Sequence, residues 1–197
     1  VKRLLDMENE QKLIKELRKG NETAYRHFIE NHKQMVYLTA YGFLHNQAEA
    51  EDLAQEVFAE VFRAIHKFKG DSRLSTWLYR ITVNKSINEL KKLKRMSGAK
   101  RSESSFHPED SEAVEVEDDS NHTPDKIQEN LERKQILEKA INELPESQKT
   151  AFVLHKYDQL PYKKIAEITE SSLSSVESLI HRAKLNLQKK LIHYYKS

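Results

Sequence analysis

Amide and cationic side chains recur at helical spacing in the segment DSRLSTWLYRITVNKSINELKKLKR, residues 71–95. With 3.6 residues per turn, one face of a helix in this segment presents both chemistries. Lysine and arginine neutralise phosphates, whereas asparagine amides can also bond the edges of bases. The pattern predicts binding to a polyanion, with a plain solvated face as the alternative. The residues on this face are Asn84, Lys85, Asn88, Lys92 and Arg95.

The first half of the same segment is apolar, which predicts that a core holds it. Leu74, Trp77, Leu78 and Ile81 form one apolar stripe, and we expect Trp77 to act mainly in packing. One residue near the start should cap the helix. The candidate caps are Asp71, Ser72 and Ser75, and the later apolar positions, on the opposite face, are Val83, Ile87, Leu90 and Leu93.

Composition limits the class of protein. A chain of 197 residues with 32% charged residues suits one or two small domains, and a mean hydropathy of −0.79 favours a soluble protein. No apolar run approaches a membrane span, and the apolar stretch near the N-terminus is too short for a signal peptide. The absence of cysteine excludes a disulfide framework and a thiolate metal site. We therefore expect a cytoplasmic protein.

Charge is distributed unevenly along the chain, although the formal net charge is only +2. Residues 85–101 are strongly basic, and no acidic residue follows Glu177. The sequence therefore predicts two cationic patches that lie far apart along the chain.

Nearly all of the chain is predicted to be helical, because glycine and proline number only four each and helix formers dominate. We predict an all-α protein with two small domains. Gly20-Asn21 should separate a first helix, about residues 8–19, from a second, and HNQA at 45–48 should lead into a third. The core-facing positions of the third helix are Leu53, Val57, Val61, Ala64 and Ile65.

A break in composition separates the two predicted domains. Between residues 96 and 124 the periodicity vanishes, and the stretch EDSEAVEVEDDS carries no positive charge. This composition is typical of a flexible, disordered acidic linker. We expect the first domain over 1–95 and the second over 125–197. The second should contain four helices, with Pro145 and Pro161 in first-turn positions, where a missing N–H costs little.

The last two predicted helices resemble a helix-turn-helix. Ala166 lies where the first helix must let the second approach closely. The face opposite the apolar stripe of the second helix would then point toward a DNA major groove. A plain helical hairpin is the alternative. The expected buried stripe contains Val176, Ile180, Ala183 and Leu187, and the exposed face presents Ser174, Ser178, His181 and Arg182, with Glu177 and Lys184 beside them.

Four segments in this order resemble an extracytoplasmic-function (ECF) sigma factor, a compact bacterial transcription initiation subunit of the sigma-70 superfamily. They are AEDLAQEVFAEVF, FKGDSRLSTWLYRITVNKSINELK, LPESQKTAFVLH, and LPYKKIAEI followed by SSVESLIHRAK. The resemblance extends from about residue 21 to residue 191. It implies that the first domain binds core RNA polymerase and opens the minus-ten promoter element. The second domain would read the minus-thirty-five element.

The resemblance also implies three groups of binding residues. The expected partner is core RNA polymerase, with its beta-prime and beta subunits. The polymerase group would dock a basic coiled coil of this enzyme and consists of Glu51, Asp52, Gln55 and Glu56. The minus-ten group is Lys69, Gly70, Asp71, Ser72, Arg73, Trp77, Arg80, Asn84, Lys85, Asn88, Lys92 and Arg95. The minus-thirty-five group is Ser174, Ser175, Glu177, Ser178, His181, Arg182 and Lys184. A further expected partner is an anti-sigma factor, which could hold the protein at the inner membrane.

We expect no catalytic, cofactor or metal site. The nine histidines are scattered, and the sequence has neither a Glu-x-x-His pair nor a Gly-rich phosphate loop. The chain would then be a specificity subunit of RNA polymerase, without catalysis of its own and without a small-molecule substrate. Two other classes remain as alternatives: a helix-turn-helix regulator that binds DNA without polymerase, and a helical adaptor whose basic patches bind acidic proteins.

Overall fold

The computed structural model describes residues 2–99 and 124–196, and the side chains within 8–96 and 128–192. These ranges are helical and contain no strand, as predicted. No helix among them is long and apolar enough to cross a membrane. The helices are α1 (Lys2–Arg18), α2 (Glu22–Leu44), α3 (Gln47–Ala64), α4 (Leu74–Ala99), α5 (Pro124–Asn142), α6 (Glu146–Lys156), α7 (Tyr162–Thr169) and α8 (Leu173–Lys196), with a 3-10 turn at Ile65–Lys67.

In the first domain, α2 and α3 form a helical hairpin on which α4 packs. His45 ends α2 in the left-handed conformation, with φ of 54°. The side chain of Asn46 then accepts a hydrogen bond from the Glu49 N–H at 3.0 Å and so caps α3. The turn predicted at 45–48 is confirmed. Of the predicted core positions in α3 and the following turn, Leu53, Val57, Val61 and Ile65 are buried and Ala64 is partly buried.

The N-terminal half of α4 is held by the core, as its apolar stripe predicts. Leu74 and Leu78 are buried, and Trp77 is half-buried with its ring 5.1 Å from that of Phe68. The buried hydroxyls of this helix were not predicted. Thr82 and Ser86 donate to the carbonyl four residues earlier, at 2.9 and 2.8 Å. These bonds satisfy the hydroxyls inside the core.

The ends of α4 differ from the prediction. The Leu74 N–H at its start donates to the carboxylate of Glu10 in α1, and not to Asp71, Ser72 or Ser75. None of the three predicted caps accepts the Leu74 N–H, so the prediction is wrong for this group. The acceptor comes instead from a distant segment of the chain. The helix also continues through Ala99, beyond the predicted domain boundary at residue 95. The rest of the predicted linker, 100–123, lies outside the described residues.

The second domain contains the four predicted helices. Pro145 and Pro161 directly precede α6 and α7, one position earlier than expected. Between α7 and α8, Glu170 takes the left-handed conformation with φ of 53°. The hydroxyl of Ser172 accepts a hydrogen bond from the Ser175 N–H at 3.1 Å and caps α8. The predicted stripe is buried: Val176, Ile180, Ala183 and Leu187.

The two domains share one continuous apolar cluster. It extends from Phe28 and Val36 in the first domain to Leu154 and Ile165 in the second. Helix α6 packs on α2, and α7 packs on α4. Gly42 marks a close approach, because a Cβ atom added there would lie 2.6 Å from the Cγ1 atom of Val153. The sequence predicts two domains, but this packing between them was not foreseen.

Candidate nucleic-acid and protein-binding surfaces

The predicted polymerase residues form an exposed acidic face on α3. Leu53 and Val57 fix this helix from the opposite side, so the four polar side chains point to solvent. Glu51 accepts a hydrogen bond from Gln47 at 3.0 Å. Neither Asp52 nor Gln55 has a side-chain partner among the described residues. The acidic face comprises Glu51, Asp52, Gln55 and Glu56, all of them exposed.

The polar face of α4 presents the amides and cations that the spacing predicts. Asn84 and Asn88 are exposed. Lys92 bonds Glu89 at 2.9 Å, and this hydrogen bond raises the pKa of Lys92. Arg95 is exposed and donates from Nε to the Lys91 carbonyl at 3.2 Å. The face therefore offers both charge and hydrogen-bonding groups to a partner.

An ion pair joins the two surfaces. The Nζ atom of Lys85 on α4 lies 3.1 Å from an Oε2 atom of Glu56 on α3. Lys85 belongs to the predicted minus-ten group and Glu56 to the predicted polymerase group. The two groups are separate in the sequence, and the fold brings them into direct contact.

The loop before α4 lies beside a cavity of about 350 Å³. Gly70 takes a φ of 83°, which favours glycine, and Lys69, Asp71 and Arg73 are exposed, with Ser72 half-exposed. Arg73 lines the cavity from the loop side. Residues of α1 and α2 form the other walls, including Asn9, His27 and His32. These residues precede the loop by more than 35 positions, so nothing in the local sequence links them to it.

Arg80 contacts the second domain. Its Nε and Nη2 atoms donate to the carbonyls of Ile168 and Glu167 at 3.2 and 2.7 Å. Its Nη1 atom lies 2.8 Å from a carboxylate oxygen of Glu170. Carbonyls at a helix C-terminus lack intrahelical partners and carry partial negative charge, so a guanidinium suits this position. Arg80 and Asn84 also line a cleft of about 700 Å³ between the domains.

The predicted DNA-reading face of α8 lies opposite its buried stripe. His181, Arg182 and Lys184 are exposed, as are Ser174 and Glu177. Ser175 and Ser178 are half-buried, and Ser175 lines the interdomain cleft. Lys190, nearer the C-terminus, forms an ion pair with Glu143. The helix thus presents its cations on one side, away from the core.

Buried polar groups lie where α6 packs on α2. Lys149 is 2% exposed, and its Nζ atom donates to the Phe43 carbonyl at 2.7 Å and to the side chain of Asn142. Burial, with a smaller contribution from the charge of Lys94, lowers the pKa of Lys149 to about 7. The sequence did not indicate that this lysine is buried, because a lysine is expected at the surface.

A second buried pair lies in the same interface. The Asp158 carboxyl and the Thr39 hydroxyl are 2.8 Å apart, and burial raises the pKa of Asp158 to about 7 although this bond opposes the shift. Nearby, burial and the charges of Lys149 and Lys134 lower the pKa of His45 to about 3. The interface therefore contains several groups whose ionisation differs from that in water.

No group of three or more His, Asp or Glu side chains in the described ranges is arranged to hold a metal ion. The exposed surfaces on α3, α4 and α8 are instead suited to macromolecular partners, because they offer dispersed charges and amides.

Two family matches fall on the two domains. Residues 28–96 match sigma-70 region 2, and residues 134–187 match sigma-70 region 4. The RNA polymerase sigma-H factor of Pseudomonas aeruginosa is 30% identical over 190 residues, covering 95% of this chain and 96% of the relative. The ECF RNA polymerase sigma factor SigW of Bacillus subtilis is 30% identical over 191 residues, covering 91% and 95%.

Solved structures share the fold. CnrH in complex with the cytosolic domain of CnrY superposes with a TM-score of 0.64 at 19% identity, over 93% of this chain and 97% of that one. The sigma factor RpoE of Bartonella quintana, in complex with the anti-sigma factor NepR, gives a TM-score of 0.56 at 20% identity, over 85% and 96%. The all-α two-domain fold is therefore an established one.

Proposed function

The chain belongs to the ECF group of sigma-70 factors, alternative sigma subunits of RNA polymerase, and we propose how its surfaces divide promoter recognition. The region 2 match contains α3 and all but the end of α4, and the region 4 match contains α7 and the first part of α8. One observation carries the proposal. Each of the two matched regions includes a helix whose buried side packs in the core and whose opposite, polar face is exposed. The helix-turn-helix regulator and the adaptor are not favoured, because neither accounts for both matches in this order.

The acidic face of α3 docks core polymerase in this proposal. Asp52 and Gln55 are exposed and have no intramolecular side-chain partner in the described ranges, so docking breaks no existing bond of theirs. A basic coiled coil of the beta-prime subunit would supply arginines. Each charge-assisted hydrogen bond is worth about 1.5–3 kcal/mol when it is desolvated. The chain supplies specificity, and the catalysis of RNA synthesis belongs to the core enzyme.

The polar face of α4 and the loop before it contact the minus-ten element. Asn84 and Asn88 are exposed on the same side of the helix, from which Lys92 and Arg95 can reach phosphates. The cavity beside the loop, at about 350 Å³, offers space for an unstacked base. The remaining members of this group are Lys69, Gly70, Asp71, Ser72, Arg73, Trp77, Arg80 and Lys85.

The exposed side of α8 reads the minus-thirty-five element. Arg182 is the residue best suited to a base edge, because a guanidinium can bond a guanine bidentately. The other members of this group are Ser174, Glu177, His181 and Lys184, which are exposed, and Ser175 and Ser178, which are half-buried. We carry over no base preference, since Glu177 and Leu179 stand where many members of the family carry basic residues.

An anti-sigma factor is the regulatory partner that we propose. Two proteins of this fold, CnrH and RpoE, form complexes with the cytosolic domain of CnrY and with the anti-sigma factor NepR. A partner of this kind would act on this chain in the cytoplasm, where polymerase and promoter meet, and could hold it at the inner membrane.

Transcription with purified components tests the proposal. The chain is added to bacterial core polymerase on genomic DNA fragments, and the 5′ ends of the transcripts are sequenced. We expect start sites downstream of a shared pair of elements, which disappear when the chain is omitted. Footprints of the free chain on the same DNA address the regulator alternative, which predicts full protection without polymerase. Absence of transcripts that depend on the chain would refute the function.

A further inference from the structure

Helix α1 packs on the first domain although it lies outside the region 2 match, which begins at residue 28. Leu17 is 1% exposed, and Leu13 and Ile14 pack against the buried cluster. The helix contacts α2 and the 3-10 turn at Ile65–Lys67. Because close-packed apolar side chains hold it there, α1 is a fixed part of the first domain and can support neighbouring segments.

Two hydrogen bonds join α1 to the loop before α4, one at each end of the loop. The Nη2 atom of Arg18 donates to the Phe68 carbonyl at 2.5 Å. At the other end, the carboxylate of Glu10 accepts the Leu74 N–H. A carboxylate suits this position, because the first N–H groups of a helix lack partners and carry partial positive charge. Phe68 and Leu74 are buried, whereas four of the five residues between them are exposed, so the loop is fixed at its ends.

The same helix forms a wall of the cavity beside this loop. Asn9, Glu10 and Leu13 line the cavity of about 350 Å³ from α1, and Arg73 lines it from the loop. A displacement of the loop relative to α1 would therefore change the shape of the cavity. Arg18 is not among the described residues that line the cavity, so its side chain would act on a base there through the loop and not by contact.

We propose that Arg18 and Glu10 are positioning residues for minus-ten recognition, because they fix the loop of residues 69–73 relative to the wall that α1 forms. The inference rests on the proposed function of this loop. An unstacked base enters a cavity whose two sides are joined by these bonds, so the base that fits best depends on both of them. Gly70, in the left-handed conformation, allows the chain to turn between the two anchors. Base selectivity thus depends on a helix that precedes the matched region.

Substitutions that remove one bond at a time test the inference. Arg18 is exposed, so Arg18→Met, which keeps the apolar stem and removes the donor to the loop, should fold. Glu10→Ala removes the acceptor for the Leu74 N–H, whereas Glu10→Gln retains an oxygen that can accept it. Lys15→Met and Glu8→Ala, at exposed positions of the same helix, are the matched controls.

The readout is base preference, which a loss of stability alone would not change. The full-length variants are added to core polymerase on the promoter mapped in the transcription experiment, with each minus-ten position carrying each base in turn. The discrimination at a position is the ratio of transcript yields between the preferred base and the others. Affinity for core polymerase and thermal unfolding are measured on the same proteins, and the assay temperature lies below the unfolding of every variant.

We expect Arg18→Met and Glu10→Ala to lower the discrimination at one shared minus-ten position by about fivefold, the order of change that loss of a helix cap causes in an equilibrium. Glu10→Gln and both controls should keep the discrimination of the wild type. The affinity for core polymerase should be the same for all of these proteins, because the acidic face of α3 is left intact.

Unchanged discrimination in Arg18→Met and Glu10→Ala would overturn the inference, even if yields fell equally with all bases, because such a fall indicates destabilisation only. A Glu10→Gln variant that loses discrimination as Glu10→Ala does would show that the carboxylate reads the base itself, and would overturn the positioning role of Glu10. If the wild type shows no preference at any minus-ten position, the proposed function of the loop fails, which is a separate result.

Discussion

Lys149 should make the stability of the protein rise with pH above neutrality. Its pKa is about 7 in the folded protein against an ordinary value of 10.5. The folded state therefore binds fewer protons than the unfolded state between these values, and the free energy of unfolding increases with pH across that window. Besides burial, the charge of Lys94 on α4 lowers the pKa of Lys149. Besides burial and the charge of Lys149, the charge of Lys134 on α5 lowers the pKa of the neighbouring His45.

The window from pH 7.5 to 9 isolates this lysine. From the two pKa values, the free energy of unfolding should rise by about 2 kcal/mol between these pH values, at about 1.4 kcal/mol per unit of pH. Asp158 and His45 contribute little there, because their folded pKa values are about 7 and about 3. Burial raises the pKa of Tyr79 and Tyr157 above the ordinary value of 10.0. These two groups would lower the free energy of unfolding as the pH rises past that value, so the window ends below it.

Denaturant unfolding at pH 7.5 and 9 measures the effect. The wild type should gain stability at the higher pH, whereas Lys149→Met should show almost no change, because its side chain does not titrate. Lys156→Met, at an exposed position of the same helix, should retain the rise. A wild type with equal stability at both pH values, or a Lys149→Met variant with the full rise, would refute the reasoning.

Three further predictions concern the binding surfaces. Asp52→Arg should weaken core polymerase binding at least tenfold, from loss of about 1.5–3 kcal/mol and added repulsion, while Glu30→Arg on α2 should not; equal affinities in a titration with labelled core enzyme would remove the assignment. Asn88→Ala should reduce promoter opening, seen by permanganate reactivity, more than core binding, and an unchanged opening rate would contradict it. Arg182→Ala should relax base preference by about 1–3 kcal/mol at one position, whereas Lys189→Ala should lower the salt slope by about 1 without changing preference; a shifted preference in Lys189→Ala would argue against its phosphate role.

Local features of the fold could be read from the sequence because each helix records its buried face in its own periodicity. Leu53, Val57 and Val61 recur at intervals of four and are buried together. The same logic placed Val176 and Ile180 of α8 in the core. The exposed faces of α3 and α8 follow directly, since a helix buried on one side presents the other to solvent.

Contacts between distant segments left no such record. The acceptor for the Leu74 N–H is Glu10, and Arg80 is bound chiefly by backbone carbonyls, which any residue can supply. Gly42 was the exception, because a glycine within a helical pattern either lowers the stability of the helix or allows another segment to approach it closely. Lys149 carried none, since a lysine is expected at the surface unless its partners are known.

The ion pair between Glu56 and Lys85 makes the two proposed binding events thermodynamically dependent on each other. When a cation of a partner binds Glu56 in place of Lys85, the ammonium group of Lys85 is no longer neutralised. This ammonium group then attracts a phosphate more strongly. By reciprocity, an anion that takes Lys85 increases the affinity of Glu56 for its cation by the same factor. Because the pair is partly exposed, with 26% and 63% of the side chains accessible, this heterotropic cooperativity is small. A coupling of about 0.2–1 kcal/mol corresponds to a factor of about 1.4 to 5 in affinity.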